Sequence, residues 1–216
     1  MLRCPVCRRV DRPFLRAVSY GSYDGGLREL IHLLKYSGVQ PAADVLGRML
    51  AAALGKLGSD FGPGKVLVVP VPLYKGKRRE RGFNQAELIA RYALKEAGNE
   101  RLELATEVLR RTRPTQSQIG LTSHERRENM RGAFAVANTA AVAARDVVLV
   151  DDVYTTGTTA TECAKVLRRA GAARVWVATV ARTLKLASNV EEIFDVSTFQ
   201  SLQAEERQQY AETMKA

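Results

Sequence analysis

Aromatic residues are scarce in this chain of 216 residues, which holds one Trp, seven Tyr and six Phe. A dedicated platform for single-stranded nucleic acid stacks bases on several aromatics, so the scarcity weighs against that class while leaving electrostatic binding open. There are three cysteines, too few for a disulfide framework, and they read as free or metal-bound in a reducing compartment. No apolar run reaches about 18 residues, so no membrane span is expected, yet 46% apolar residues suffice for a full core. The opening Met1-Leu2-Arg3-Cys4 has no apolar stretch of a signal peptide, which makes the cytoplasm the expected address. Two nucleotide signatures are missing as well: no glycine-rich loop ends in Gly-Lys-Ser/Thr, and no three-glycine dinucleotide spacing occurs.

Positive charge is abundant. Lys and Arg number 33 against 23 Asp and Glu, a net +10. From Glu191 to Ala216 six acids face only Arg207 and Lys215, a local −4, which leaves +14 on residues 1–190. A body this basic implies an anionic partner, whether a diphosphate, a nucleotide or a nucleic acid, and charge alone does not choose among them.

Residues 147–166 read VVLVDDVYTTGTTATECAKV. The β-branched run Val147 to Val150 predicts a buried strand, and Ala160 to Arg169 has helical spacing with Ala164, Val166 and Leu167 free to pack. The loop between them carries Asp151 and Asp152, then Thr155, Thr156, Gly157, Thr158 and Thr159. Its amides and hydroxyls converge on the positive end of the next helix, where anions bind. Carboxylates beside such a cradle suit a ligand that also carries vicinal hydroxyls or a divalent metal, and a ribose 5-phosphate fits. An ordinary β-turn-α connection with polar caps is the other reading.

Two further stretches carry charge. Lys65 to Val69 predicts a second strand that must leave the sheet at Pro70-Val71-Pro72, followed by a basic loop with Lys75, Lys77, Arg78, Arg79 and Arg81 before a helix from about Gln85. Such a loop at a strand's carboxyl end lies where parallel α/β sheets bind ligands, although most charge runs are solvated faces. The third stretch runs from Arg110 through Arg113-Pro114-Thr115-Gln116-Ser117-Gln118. Pro and polar residues keep it irregular, and Ser123 looks like the start of a short helix. It reads either as a lid whose Arg residues close over a leaving group or as a surface excursion.

Together these motifs resemble the ComF family of competence-associated, phosphoribosyltransferase-like proteins. The resemblance rests on Pro70 to Leu73, Arg81-Gly82-Phe83-Asn84-Gln85-Ala86-Glu87-Leu88, Arg111 to Gln118, Arg126 to Phe134 and Val147 to Thr159, and covers about residues 4–184. It implies an α/β type I phosphoribosyltransferase fold, a parallel sheet flanked by helices, with a small N-terminal cap or hood. It also implies a cytoplasmic protein linked to single-stranded DNA uptake in natural transformation. Asp151 and Asp152 would take the ribose hydroxyls of phosphoribosyl diphosphate, and Thr155 to Thr159 its 5-phosphate. Lys75-Gly76 would lie at the diphosphate, with Gly76 letting the backbone approach. Magnesium accompanies that ligand, and Lys75 and Arg113 are the residues expected to act on the leaving group. Single-stranded DNA would follow Lys77, Arg78, Arg79 and Arg81.

The chain also departs from the family pattern. Members begin with two CxxC pairs, whereas Cys4 and Cys7 form one, so zinc is not expected here and an upstream pair is expected to have gone unread. Cys163 reads as a small buried thiol. Thr155 stands where purine-salvage relatives place a third acid, and a hydroxyl is no base near neutral pH. The expected divisions are a cap over residues 1–60, a core over 61–187 and an acidic tail over 188–216. Helices are expected after Gly25-Gly26, with Leu27, Leu30, Ile31 and Leu34 inward and His32 and Lys35 outward unless Lys35 faces the site, and from Ala42 to Leu57. His124 is expected at the surface, Arg174 to Ala181 as a strand. Two function classes remain: a phosphoribosyl-binding DNA-uptake factor, or an active transferase of nucleotide or amine metabolism with no DNA role. The oligomeric state stays open.

Overall fold

The computed structural model describes residues 12–115 and 122–184. Its first elements are β1 (Ala17–Ser22), α1 (Gly25–Ser37), α2 (Pro41–Gly55), β2 (Val66–Pro70), α3 (Lys75–Arg81), α4 (Gln85–Ala97) and β3 (Leu102–Leu104). There follow β4 (Leu109–Arg111), α5 (Ser123–Met130), β5 (Phe134–Val136), β6 (Asp146–Tyr154), α6 (Thr158–Arg169) and β7 (Arg174–Arg182). Five strands form one parallel sheet in the order β1-β7-β6-β2-β3, and β4 pairs antiparallel with β5.

The central strands are apolar without alternation because helices and loops cover both faces, as parallel sheets require. All five residues of β2 are buried, as are Val147 to Val150 of β6. Parity sorts them. Val66, Val68, Val148, Val150, Trp176 and Ala178 pack toward α1, α2 and α4. Leu67, Val69, Val147, Leu149, Val175 and Val177 pack toward α6 and the β4–β5 hairpin. Helix α2 lies close on α4 because Gly47 has no side chain; a Cβ there would collide with Tyr92.

The basic stretch expected as a loop is helix α3, seven exposed or half-buried residues ended by Gly82 in the left-handed conformation (φ 80°). It has no apolar stripe and no side-chain cap at Tyr74, so periodicity gave no sign of it. Strand β1 and the β4–β5 hairpin were also not foreseen: both are short, and β1 is an edge strand half open to solvent. Residues before 60 supply an edge strand of the main sheet and the core-facing α2. The described residues up to Thr183 belong to one compact unit.

Pro70 stands in register with Val150, so the chain leaving β2 emerges beside Asp151 and Asp152, which lie within β6 rather than in the loop expected for them. Because β3 lies on one side of β2 and β6 on the other, this is the topological switch point where open α/β sheets bind ligands.

Candidate functional site

Successive residues of a strand face opposite ways, so the two acids at the end of β6 part company. Asp151 shares the parity of Val147 and Leu149 and faces α6. It is half-buried, its Oδ1 accepts the Asp152 N–H at 2.9 Å, and it stands in register with Thr179. Burial, and then the Asp152 charge, push its carboxyl well above the usual range. Asp152 is 4% exposed and pairs with the Lys35 ammonium of α1. Burial raises its affinity for a proton, but Lys35 outweighs that and holds the carboxyl below its usual range. Burial likewise disfavours the Lys35 charge, and Asp152 outweighs it, so the ammonium titrates above its ordinary value.

After Tyr154 the chain turns through Thr155 and Thr156 to Gly157, which begins α6 with φ 77°. A side chain at Gly157 would collide with the Tyr154 phenol, whose hydroxyl accepts from Arg12. Thr156 and Thr158 share a hydroxyl hydrogen bond at 2.8 Å. The amides of the first turn of α6 have no intrahelical acceptors and carry the positive end of a helix of 12 residues. Asp151, Thr155, Gly157, Thr158 and Thr159 line one shallow cleft, floored by Leu149, Val177 and Thr179.

The cationic residues divide. Lys75 and Gly76 open α3, where Gly76 has ordinary helical backbone and a Cβ would meet only the Tyr74 ring at 3.7 Å, so its glycine is not required by conformation. Lys77 pairs with Glu80 at 3.0 Å and Arg78 with Glu87 at 3.7 Å. Arg81 donates to Gln85 at 2.6 Å and lies 5.8 Å over the Tyr36 ring. The sequence run Arg81 to Leu88 is thus a corner between helices: Gly82 ends α3, and Asn84 caps α4 through the Ala86 N–H while donating to the Val71 carbonyl at 3.0 Å. Arg113 donates to the carbonyls of Asn129 at 3.1 Å and Arg131 at 2.7 Å, pinning the segment after β4 to the end of α5.

Two residues near the site were not singled out by the sequence. Lys35, for which an outward and a site-facing direction were both open, turns in; it lies four residues after Ile31, on the edge of the apolar stripe. Arg111 was one of three basic candidates within Arg110 to Arg113. The structure brings its guanidinium 5.5 Å over the Phe134 ring with a buried Nε that has no partner. Burial lowers its proton affinity, while Cys163 and Asp151 act in the opposite direction. Cys163 is free and buried, and His124 is exposed, as expected.

Among the described residues no three His, Cys, Asp or Glu side chains gather around a common point. Asp151 reaches the cleft and Asp152 is committed to Lys35, so the protein alone builds no cation cage. These donors do fit a magnesium that arrives on a diphosphate, which keeps phosphate and water ligands and takes one or two protein carboxylates. Cys4 and Cys7, Gln116 to Gln118 and the acidic tail lie outside the described residues.

A family model described as phosphoribosyl transferase domain matches residues 79–211. The chain is 34% identical over 186 residues to the DNA utilization protein YhgH of Escherichia coli K12, covering 85% of this chain and 79% of that one. It is 36% identical over 116 residues to competence protein F of Haemophilus influenzae, covering 53% and 49%. A hypoxanthine phosphoribosyltransferase structure from Staphylococcus aureus aligns over 70% of this chain and 72% of that one, with 13% identity and a TM-score of 0.40.

Proposed function

Because the chain belongs to the phosphoribosyl transferase domain family, in its ComF group, we propose that it binds phosphoribosyl diphosphate with magnesium and serves the uptake or processing of single-stranded DNA in the cytoplasm. The observation that carries the ligand is the cleft at the sheet's switch point, where one carboxyl and the amide end of α6 face the same space. On this reading the first turn of α6 and the hydroxyls of Thr155 to Thr159 take the 5-phosphate. Asp151 takes a ribose hydroxyl, and Asp152 joins it when Lys35 yields. The diphosphate lies toward Lys75 and Arg111, with Arg113 holding the lid segment behind them. Magnesium, when bound with the ligand, neutralises diphosphate charge.

Transfer from C1 of the ribose would release diphosphate and pass the sugar to a nucleophile. The cleft is lined by no histidine, and Thr155 supplies no base, so an acceptor must be one that needs little deprotonation, such as an amine. The DNA part of the proposal draws on the names of the two relatives and on the exposed basic helix α3.

Calorimetry tests the ligand. The wild type is expected to bind phosphoribosyl diphosphate in a magnesium-dependent way, and Asp151→Asn with Asp152→Asn to weaken it at least about tenfold, because each hydrogen bond to a charged acceptor contributes about 1.5–3 kcal/mol. Equal affinity in a double variant that still melts cooperatively removes the ribose assignment.

A further inference from the structure

We propose that His32 and Tyr36 on the outer side of α1, with the half-buried Tyr23 just before that helix and Arg81 at the end of α3, form a track on which the bases of a single nucleic-acid strand stack. The proposal rests on the DNA reading above and deepens it, naming the groups that would grip bases where that reading supplied only charge.

Three neighbouring side chains and one from a distant helix meet in a row. The Tyr23 and His32 rings lie 6.4 Å apart, with the Tyr23 hydroxyl at 2.9 Å from His32 Nε2. His32 and Tyr36 meet edge to face at 5.3 Å, and the Arg81 guanidinium covers Tyr36 at 5.8 Å. Tyr36 is nevertheless 68% exposed. A ring that open gains little from burial, and it is held in place by polar neighbours. Arg81 is aimed by its bond to Gln85, which is itself buried, and His32 by Tyr23. The surface is therefore ordered before any ligand arrives, which lowers the entropy cost of binding.

Charge selects the occupant. Arg81 ends a helix whose other exposed side chains include Lys75, Lys77, Arg78 and Arg79, and among the described residues no ion pair engages Lys75 or Arg79. Planar groups in a row beside a line of cations match alternating bases and phosphates, with aromatic stacking and arginine both contributing. The scarcity of aromatics in the sequence hid this, because Tyr23 and Tyr36 lie some forty residues or more from the basic run and only the fold brings them to it.

Fluorescence anisotropy with a labelled oligothymidine across a salt series separates the two contributions. Tyr36→Ala is expected to weaken binding about fivefold or more at every salt concentration without changing the slope of log affinity against log salt, since stacking releases no counterions. Tyr36→Phe keeps the ring and should bind as wild type. A 2-aminopurine base in the strand should be quenched by the wild type and not by Tyr36→Ala. Both variants should melt as the wild type does, the side chain being so exposed. Wild-type binding with Tyr36→Ala unaffected, or with its slope altered, overturns the track and leaves the DNA reading standing. Absence of any wild-type binding at low salt overturns both, whatever the calorimetry with phosphoribosyl diphosphate gives.

Discussion

Lys35 is the residue on which the acidic pair depends. Its ammonium is 19% exposed and sits on a carboxylate almost wholly shut from water, so removing it strands a buried charge. Lys35→Met should cost roughly 3 kcal/mol at neutral pH, the low end for breaking a buried pair because the lysine is not fully enclosed. The sign with pH follows from Asp152, whose folded carboxyl lies below its unfolded value. The pair's contribution is present above the unfolded value of about 3.9 and fades as pH falls through the folded one. Urea denaturation at pH 7 and near pH 3 should therefore show the variant's deficit shrinking in acid. A deficit equal at both would mean that packing of the lysine stem, rather than charge, is what was lost. At this scale the motif picked out Asp151, Thr155, Thr158 and Thr159, which do line one cleft, but not the turning of Asp152 onto Lys35. The sequence was silent where a side chain's direction depends on tertiary packing: the same helix carries Lys35 inward and Tyr36 outward, one residue apart.

At the scale of elements, β6, α6, β2, α4 and β7 were readable within a few residues, since long apolar runs and capped amphipathic stretches announce themselves. Helix α5 starts at Ser123, where the sequence placed it, and the structure adds a reciprocal capping box between Thr122 and Glu125. What stayed hidden were pieces whose stability comes from neighbours: α3, wholly polar, and strands of three residues. The junction of β6 with α6 is the strictest of these elements. Gly157→Ala places a Cβ both in a left-handed conformation and against the Tyr154 phenol. It should cost about 2 kcal/mol or more from backbone strain and the displaced ring, and weaken phosphoribosyl diphosphate binding with it. Thermal melts and calorimetry on Gly157→Ala, and on the same change combined with Tyr154→Ala, check this. If the second substitution recovers nothing, the phenol is not the obstacle and strain alone accounts for the loss.

For the whole molecule, charge is the property that composition stated outright and the fold distributes. Replacing Lys77, Arg78 and Arg79 by Ala should flatten the salt dependence of single-stranded DNA binding by about two units, at about 0.7 for each phosphate neutralised on a single strand. Titrations at several salt concentrations decide it, and an unchanged slope would route the strand away from α3. The strand order has a different consequence, for biosynthesis. Among the described strands β7 is the last in chain order, yet it lies inside the sheet, between β1 and β6. Until it is made, the first strand has no partner in the sheet and β6 presents a bare, valine-rich edge. The nascent chain therefore matures late, after almost all of its sheet has been synthesised, and through that interval it carries the kind of unpaired parallel edge that makes slow-folding chains cohere with one another.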